Sequence, residues 1–210
     1  QKITVVTGSY TLKESDLYAY TEGSWSCTGA AGTVVPTFNN GSVVVGKGED
    51  VVCTITNDDR PGTIVIIKNA KPAQGSFAFA TTGTGYNGFT LTGATTNNGN
   101  RNSQTLSAGT YTVKESTQLG WILTGIGGST DPNTPYNCVV TGSGGSTGVG
   151  DPNTQTATVA LKNGDTVTCT FENQRLATIL LFNIAVGGDD TFPFASWTLT
   201  PTITTRAAAP

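Results

Sequence analysis

The sequence predicts an all-β chain: two antiparallel β-sandwich domains, the first of them completed by strands from the far end of the chain. Three observations predict it. Short Val/Ile/Thr/Tyr runs are separated by Gly/Asn/Asp clusters, the pattern of many short strands joined by turns. No stretch carries sustained helical periodicity. The chain also repeats itself out of phase. Gly8-Ser9-Tyr10-Thr11-Leu12-Lys13-Glu14-Ser15 returns 101 residues later as Gly109-Thr110-Tyr111-Thr112-Val113-Lys114-Glu115-Ser116. Val52-Cys53-Thr54-Ile55-Thr56-Asn57 returns 116 residues later as Thr168-Cys169-Thr170-Phe171-Glu172-Asn173. Thr63-Ile64-Val65-Ile66-Ile67 returns as Thr178-Ile179-Leu180-Leu181-Phe182, and Phe77-Ala78-Phe79 as Phe192-Pro193-Phe194, both 115 residues later.

Residues 61–175 therefore hold one whole unit. Residues 1–60 hold the back part of a unit, and residues 176–210 hold the front part followed by a tail. The segment 176–205 supplies what residues 1–60 lack. Either the chain closes on itself as a permuted domain, or the end of one molecule completes the start of the next.

In the whole unit the expected strands are Thr63–Lys68, Ser76–Thr81, Gly88–Thr92, Ser103–Leu106, Thr110–Glu115, Trp121–Ile126, Tyr136–Val140, Thr156–Leu161 and Thr166–Glu172. Gly/Ser-rich Gly142–Pro152 is expected to be an exposed loop. In the partial unit they are Ile3–Val6, Ser9–Glu14, Gly23–Cys27, Ser42–Val45 and Glu49–Ile55. A sandwich missing its first strands exposes unpaired backbone and a groove lined by Val5, Tyr10, Leu12, Val51 and Ile55. Closing it removes apolar area worth about 25 cal/mol per Å². Ala177–Val186 is the most apolar run in the chain, with Ile179, Leu181 and Phe192 placed to fill that groove.

Composition narrows the function classes. Charged residues make up 12% of 210 residues, the net charge is −3, and there is no His and no Met. No basic face is available for nucleic acid. No run of about 18 apolar residues is present to span a membrane. Without His, neither a Ser/His/Asp nor a Cys/His catalytic set can form. The expectation is a non-enzymatic protein with no cofactor and no metal. Cys27 and Cys53 in one unit match Cys138 and Cys169 in the other. Equivalent placement predicts one disulfide within each unit, each contributing roughly 3–4 kcal/mol, and an oxidising compartment.

The runs Gly62-Thr63-Ile64-Val65-Ile66-Ile67-Lys68, Phe77-Ala78-Phe79-Ala80-Thr81-Thr82-Gly83, Gly109-Thr110-Tyr111-Thr112-Val113-Lys114-Glu115 and Val167-Thr168-Cys169-Thr170-Phe171-Glu172-Asn173 resemble prealbumin-like domains of bacterial surface proteins, the transthyretin-like, SpaA or Cna-B type. The resemblance covers nearly the whole chain and implies a Greek-key β-sandwich that builds pili, stalks and adhesins. No LPxTG-like sorting signal is present. Some such domains form a Lys–Asn isopeptide bond assisted by a buried acid, and the resemblance implies Lys68, Asn173 and Glu115 for those roles. Strand alternation agrees: Ile64, Ile66 and Lys68 share a face, as do Tyr111, Val113 and Glu115, and Cys169, Phe171 and Asn173. In the partial unit Glu14 and Asn57 recur, but Asn183 stands where Lys68 aligns, so no bond is expected there.

Weaker signals take their plainer readings. Asp131-Pro132-Asn133-Thr134 and Asp151-Pro152-Asn153-Thr154 are turns before they are calcium loops. Asn40-Gly41-Ser42 is a hairpin turn before it is a glycosylation site. Trp25, Trp121 and Trp197 are packing residues before they are a sugar platform. The sequence thus points to an extracellular cell-surface subunit whose partners are copies of itself, joined head to tail by strand donation. The alternative is an adhesin or tandem-repeat module that binds a carbohydrate or other surface ligand through exposed loops such as Gly142–Pro152.

Overall fold

The computed structural model describes residues 2–29, 38–39, 41–93, 100–180, 191–193 and 202–204. The chain divides into two compact units, Gln1–Arg175 and Leu176–Pro210. Every regular element among the described residues is a strand.

Residues 61–175 form the sandwich. Its strands are β8 (Gly62–Lys71), β9 (Ser76–Thr82), β10 (Phe89–Thr92), β11 (Arg101–Leu106), β12 (Gly109–Glu115), β13 (Trp121–Gly127), β14 (Val139–Thr141), β15 (Thr147–Asp151), β16 (Thr156–Leu161) and β17 (Thr166–Arg175). One sheet has the order β10-β9-β12-β16-β15, and the other β11-β8-β17-β13, with β14 also on β17. The pairings are antiparallel except one: β8 and β17, the first and last strands, run parallel side by side. Period-two alternation puts Ile64, Ile66, Phe77, Phe79, Tyr111, Val113, Val159, Leu161, Val167 and Phe171 between the sheets as one continuous core. Phe171 packs edge-on to Phe79 at 5.2 Å between ring centroids. Trp121 does the same against Phe77 at 5.3 Å, which makes it a packing residue.

The Gly/Ser-rich segment departs from its expectation as an exposed loop. Thr147–Asp151 is β15, an edge strand paired with β16. Its glycines are the reason. A Cβ on Gly148 would lie 2.8 Å from the Cys138 and Val167 side chains, and one on Gly150 would lie 2.5 Å from Ile126. Only a bare backbone fits that close to the core. The exposed remainder, Gly142–Gly145, is tied down by Asp165. Its carboxylate accepts the Gly144 N–H at 2.8 Å and the Ser146 N–H at 2.9 Å.

Residues 1–60 carry β1 (Gly8–Thr11), β2 (Tyr20–Thr21), β3 (Ser26–Gly29), β4 (Phe38–Asn39), β5 (Ser42–Val45), β6 (Val51–Thr54) and β7 (Asp58–Asp59). They make three small ladders, β1-β5-β4, β2-β7 and β3-β6. The registers repeat those of the sandwich. Tyr10 pairs with Val43 as Tyr111 pairs with Val159. The Tyr10 hydroxyl donates to the Val6 carbonyl at 2.5 Å, as Tyr111 does to Ser107 at 2.8 Å. β4 and β5 pair with Asn39 opposite Ser42, and Gly41 between them has φ 74°; Asn40 lies outside the described residues. The Tyr18 hydroxyl donates to the Gly164 carbonyl at 2.8 Å, and the Gly164 N–H donates to the Arg60 carbonyl at 2.9 Å, tying this half to the sandwich.

Ile3–Val6, expected as a strand, is not one. Its counterpart in the repeat is β11, whose ladder partner is β8. Residues 1–60 contain no copy of β8, so Ile3–Val6 has no ladder to join. Apolar burial fails for the same reason. Among the described residues of this half, Cys27 and Val43 are buried hydrophobics, while Ile3, Val5 and Val6 are 73%, 41% and 80% exposed. Tyr10, Leu12, Val51 and Ile55 are half-buried.

In Leu176–Pro210, β18 (Thr191–Pro193) pairs with β19 (Thr202–Thr204), Phe192 opposite Ile203.

Candidate functional site

The three residues expected from the resemblance converge. Lys68 lies on β8, Glu115 ends β12, and Asn173 lies on β17. They are 0%, 2% and 5% exposed. Each sits at the inward phase of its own alternation, and parallel pairing of β8 with β17 places Phe171 opposite Lys68. Lys68 Nζ donates to Asn173 Oδ1 at 2.7 Å and to the Phe171 carbonyl at 3.1 Å. It lies 3.4 Å from Glu115 Oε2 and 4.4 Å from the centre of the Phe77 ring. Asn173 Nδ2 donates to Glu115 Oε1 at 2.5 Å. The amine, the amide and the acid thus touch one another inside an aromatic wall.

That wall sets the electrostatics. Burial pulls the Lys68 ammonium down from 10.5 to about 8, against Glu115, which favours the charged form. Burial also pushes the Glu115 carboxyl above its ordinary value, opposed by Lys68 and by the bond from Asn173. Proton transfer from Lys68 to Glu115 would leave a neutral amine beside the amide carbonyl and a neutral acid against the amide nitrogen. A cleft of about 260 Å³ is lined in part by Glu115, Trp121, Leu123, Gln155 and Asn173.

Both expected disulfides are present. Cys27 joins Cys53, its direct cross-strand partner between β3 and β6. Cys138 joins Cys169 beneath β15. Of the groove-filling residues, Ile179 is exposed and Leu181 lies outside the described residues. Phe192 lies in β18. Trp25 is half-buried and Trp197 lies outside the described residues. The two Asp-Pro-Asn segments close as side-chain turns: Asp131 and Asp151 each accept the N–H two residues on at 2.9 Å.

Asp165 escaped sequence reasoning. Burial alone would raise its carboxyl, but the N–H donors of Gly144 and Ser146 hold it below the ordinary carboxylate value. The available signal was an acid in a β-turn with a Gly-rich loop elsewhere in the unit whose N–H groups needed acceptors. Its repeat counterpart, Glu49, bonds within its own turn instead, accepting the Gly46 N–H at 2.7 Å.

Residues 64–175 match the model of a prealbumin-like fold domain of the SpaA type, and residues 1–55 match a second such model. The chain belongs to the SpaA-type prealbumin-like domain family. No curated protein matches this prealbumin-like chain. Solved structures with similarity to it include the major pilin protein of Streptococcus pyogenes serotype GAS13637. That pilin is 15% identical over 80% of this chain and 68% of its own, with a TM-score of 0.34. Another is the major pilin of Streptococcus pyogenes, 12% identical over 82% of this chain and 72% of its own, with a TM-score of 0.31.

Proposed function

We propose that this prealbumin-like chain is a structural subunit of an extracellular surface filament, built head to tail by strand donation. The observation that carries the reading is the pairing pattern of residues 1–60. They reproduce the registers of the whole sandwich yet lack both strands that open it. In the sandwich β17 is flanked by β8, and β12 by β9. The counterparts of β17 and β12 are β6 and β1, and the counterparts of β8 and β9 lie in residues 176–205. The three repeat offsets, 101, 116 and 115, give the register that donation would take. In that register Ile3 would pair with Ile179 as Gln104 pairs with Ile64, and Cys53 would pair with Leu181 as Cys169 pairs with Ile66. Main-chain bonding to Ile3–Val6 and β6 supplies affinity, and alternate apolar side chains supply specificity. Each added subunit leaves a new free donor, so the contact propagates.

The same reading gives Lys68, Glu115 and Asn173 a mechanical role. Attack of neutral Lys68 Nζ on Asn173 Cγ, with Glu115 shuttling the proton, forms an amide bond and releases ammonia. That bond would tie β8 to β17, so a pull along the chain cannot part the first strand from the last. Membership in a family of β-sandwich domains supports a structural, non-enzymatic subunit at the cell surface.

The deciding experiment is size-exclusion chromatography with negative-stain microscopy of the full chain and of a chain lacking residues 177–210. Filaments from the first and a folded, non-polymerising second are expected. A stable full-length monomer whose residues 176–205 cross-link to its own residues 1–57 would replace donation with a permuted closure. The adhesin reading is weakened because most of Gly142–Pro152, its candidate ligand loop, is edge strand β15 or is clamped by Asp165.

A further inference from the structure

Residues 1–60 contain the counterparts of two of the three residues in the Lys68 cluster, already in contact. Glu14 and Asn57 are the repeat counterparts of Glu115 and Asn173. They lie 43 residues apart in the chain, yet Asn57 Nδ2 donates to Glu14 Oε1 at 3.0 Å and to Oε2 at 2.8 Å. This is the contact that Asn173 Nδ2 makes with Glu115. Asn57 Oδ1, whose counterpart receives Lys68 Nζ, accepts a long 3.4 Å bond from the Gly23 N–H. A cleft of about 300 Å³ opens beside the pair, lined in part by Glu14, Leu17, Tyr18, Tyr20, Asn57 and Arg60. The corresponding cleft in the sandwich reaches Glu115 and Asn173. Acid, amide and access are therefore all present, and the amine is missing.

We propose that Glu14 and Asn57 form an acceptor half-site for a lysine arriving on a first strand from another polypeptide, which becomes covalently joined to Asn57. The inference rests on the reading that an incoming strand completes residues 1–60. The sandwich itself specifies the occupant: an extended strand with alternate apolar residues ending in lysine, as in Gly62–Lys68. Entry of that strand buries Glu14 and the lysine together, as β8 does Glu115 and Lys68. The lysine Nζ then forms a bond to Asn57 Cγ, the Cγ–Nδ2 bond breaks, and Nδ2 leaves as ammonia with the proton carried by Glu14. Nothing else is consumed. The chain's own front strand carries Asn183 at this register, so a joint between copies is non-covalent. A partner of the same domain type whose exposed first strand ends in lysine is locked in place. One half-site thus distinguishes a reversible joint between copies from a permanent joint to a different subunit.

Two arms test it, both read by intact mass. A synthetic peptide of residues 62–70 is incubated with the full chain, with a peptide carrying Lys68→Asn as control. The full chain is also made with Asn183→Lys. The expected result is an adduct equal to chain plus peptide less one ammonia, absent for the control peptide. The Asn183→Lys chain is expected to give a boiling-resistant ladder, or a monomer lighter by one further ammonia. Asn57→Ala should abolish both, and Glu14→Gln, which keeps the shape and one of the two acceptor oxygens, should slow both at least tenfold. An adduct with the peptide alone keeps the half-site and overturns donation by the chain's own terminus. Absence of any adduct in both arms overturns the half-site, even if filaments form.

Discussion

Lys68 Nζ and Asn173 Oδ1 are 2.7 Å apart, although the two residues are separated by 105 positions in the chain. The distance is set by the parallel register of β8 and β17, with the Phe77 ring against the Lys68 ammonium. An amine and an amide held this way have the entropy of encounter already removed, which is what the proposed bond requires.

The first prediction follows from that pair. The intact mass of the folded chain should be lower than the sequence mass by one ammonia, beyond the hydrogens lost to the disulfides. Glu115→Ala should restore the ammonia while the domain still folds, and its thermal midpoint should fall by several degrees. An unmodified wild-type mass in fully folded protein leaves Lys68, Glu115 and Asn173 as a buried polar cluster.

The second concerns pH. Bond formation needs Lys68 neutral and Glu115 protonated, which is the pair holding one proton. Lys68 titrates at about 8 and Glu115 above its ordinary value. As pH falls well below both values, Lys68 gains a proton and loses its nucleophilic lone pair. As pH rises above both, Glu115 loses the proton it must deliver. Chain refolded from inclusion bodies at a series of pH values should therefore release ammonia with a bell-shaped rate profile. A rate that climbs without a maximum would remove Glu115 from the proton path.

The disulfides give the third. Non-reducing peptide mapping should return Cys27 with Cys53 and Cys138 with Cys169. Replacing Cys138 and Cys169 together by Ala should cost the sandwich about 2–5 kcal/mol in denaturant unfolding. A cost near zero would mean the core under β15 holds without its staple.

Asp165 gives the fourth. Its folded pKa is depressed, so its contribution is present above the unfolded value and is lost as pH falls through the folded one. Asp165→Ala should lower stability at neutral pH by about 2 kcal/mol, the scale of buried N–H groups losing a charged acceptor. Part of the wild-type loss below pH 4 should vanish in the variant. Faster amide exchange should appear first at Gly144 and Ser146.

The fifth concerns assembly. Ile179→Asp places a charge where the donation register puts an apolar residue against Ile3, so it should block polymerisation while the sandwich unfolds at its usual midpoint. Filaments of normal length from this variant would shift the donor register or discard it.

The sequence by itself determined which face each strand buries. Period two is local, and it placed Lys68, Glu115 and Asn173 inward beside Ile66, Val113 and Phe171 before any neighbour was known. The out-of-phase repeat did the same for the cysteine pairs and for the incompleteness of residues 1–60. What only tertiary structure decided was which strands lie side by side. The parallel β8–β17 contact joins segments about a hundred residues apart, and no local pattern encodes such a neighbour. Nor could composition show that Gly148 and Gly150 lie against Cys138, Val167 and Ile126 rather than in an open loop. A glycine reads the same whether it frees the backbone to move or lets it approach, and the choice belongs to whatever packs against it. The Asn57–Glu14 bonds belong here too: the repeat named the two residues, and the fold of residues 1–60 brought them within 2.8 Å.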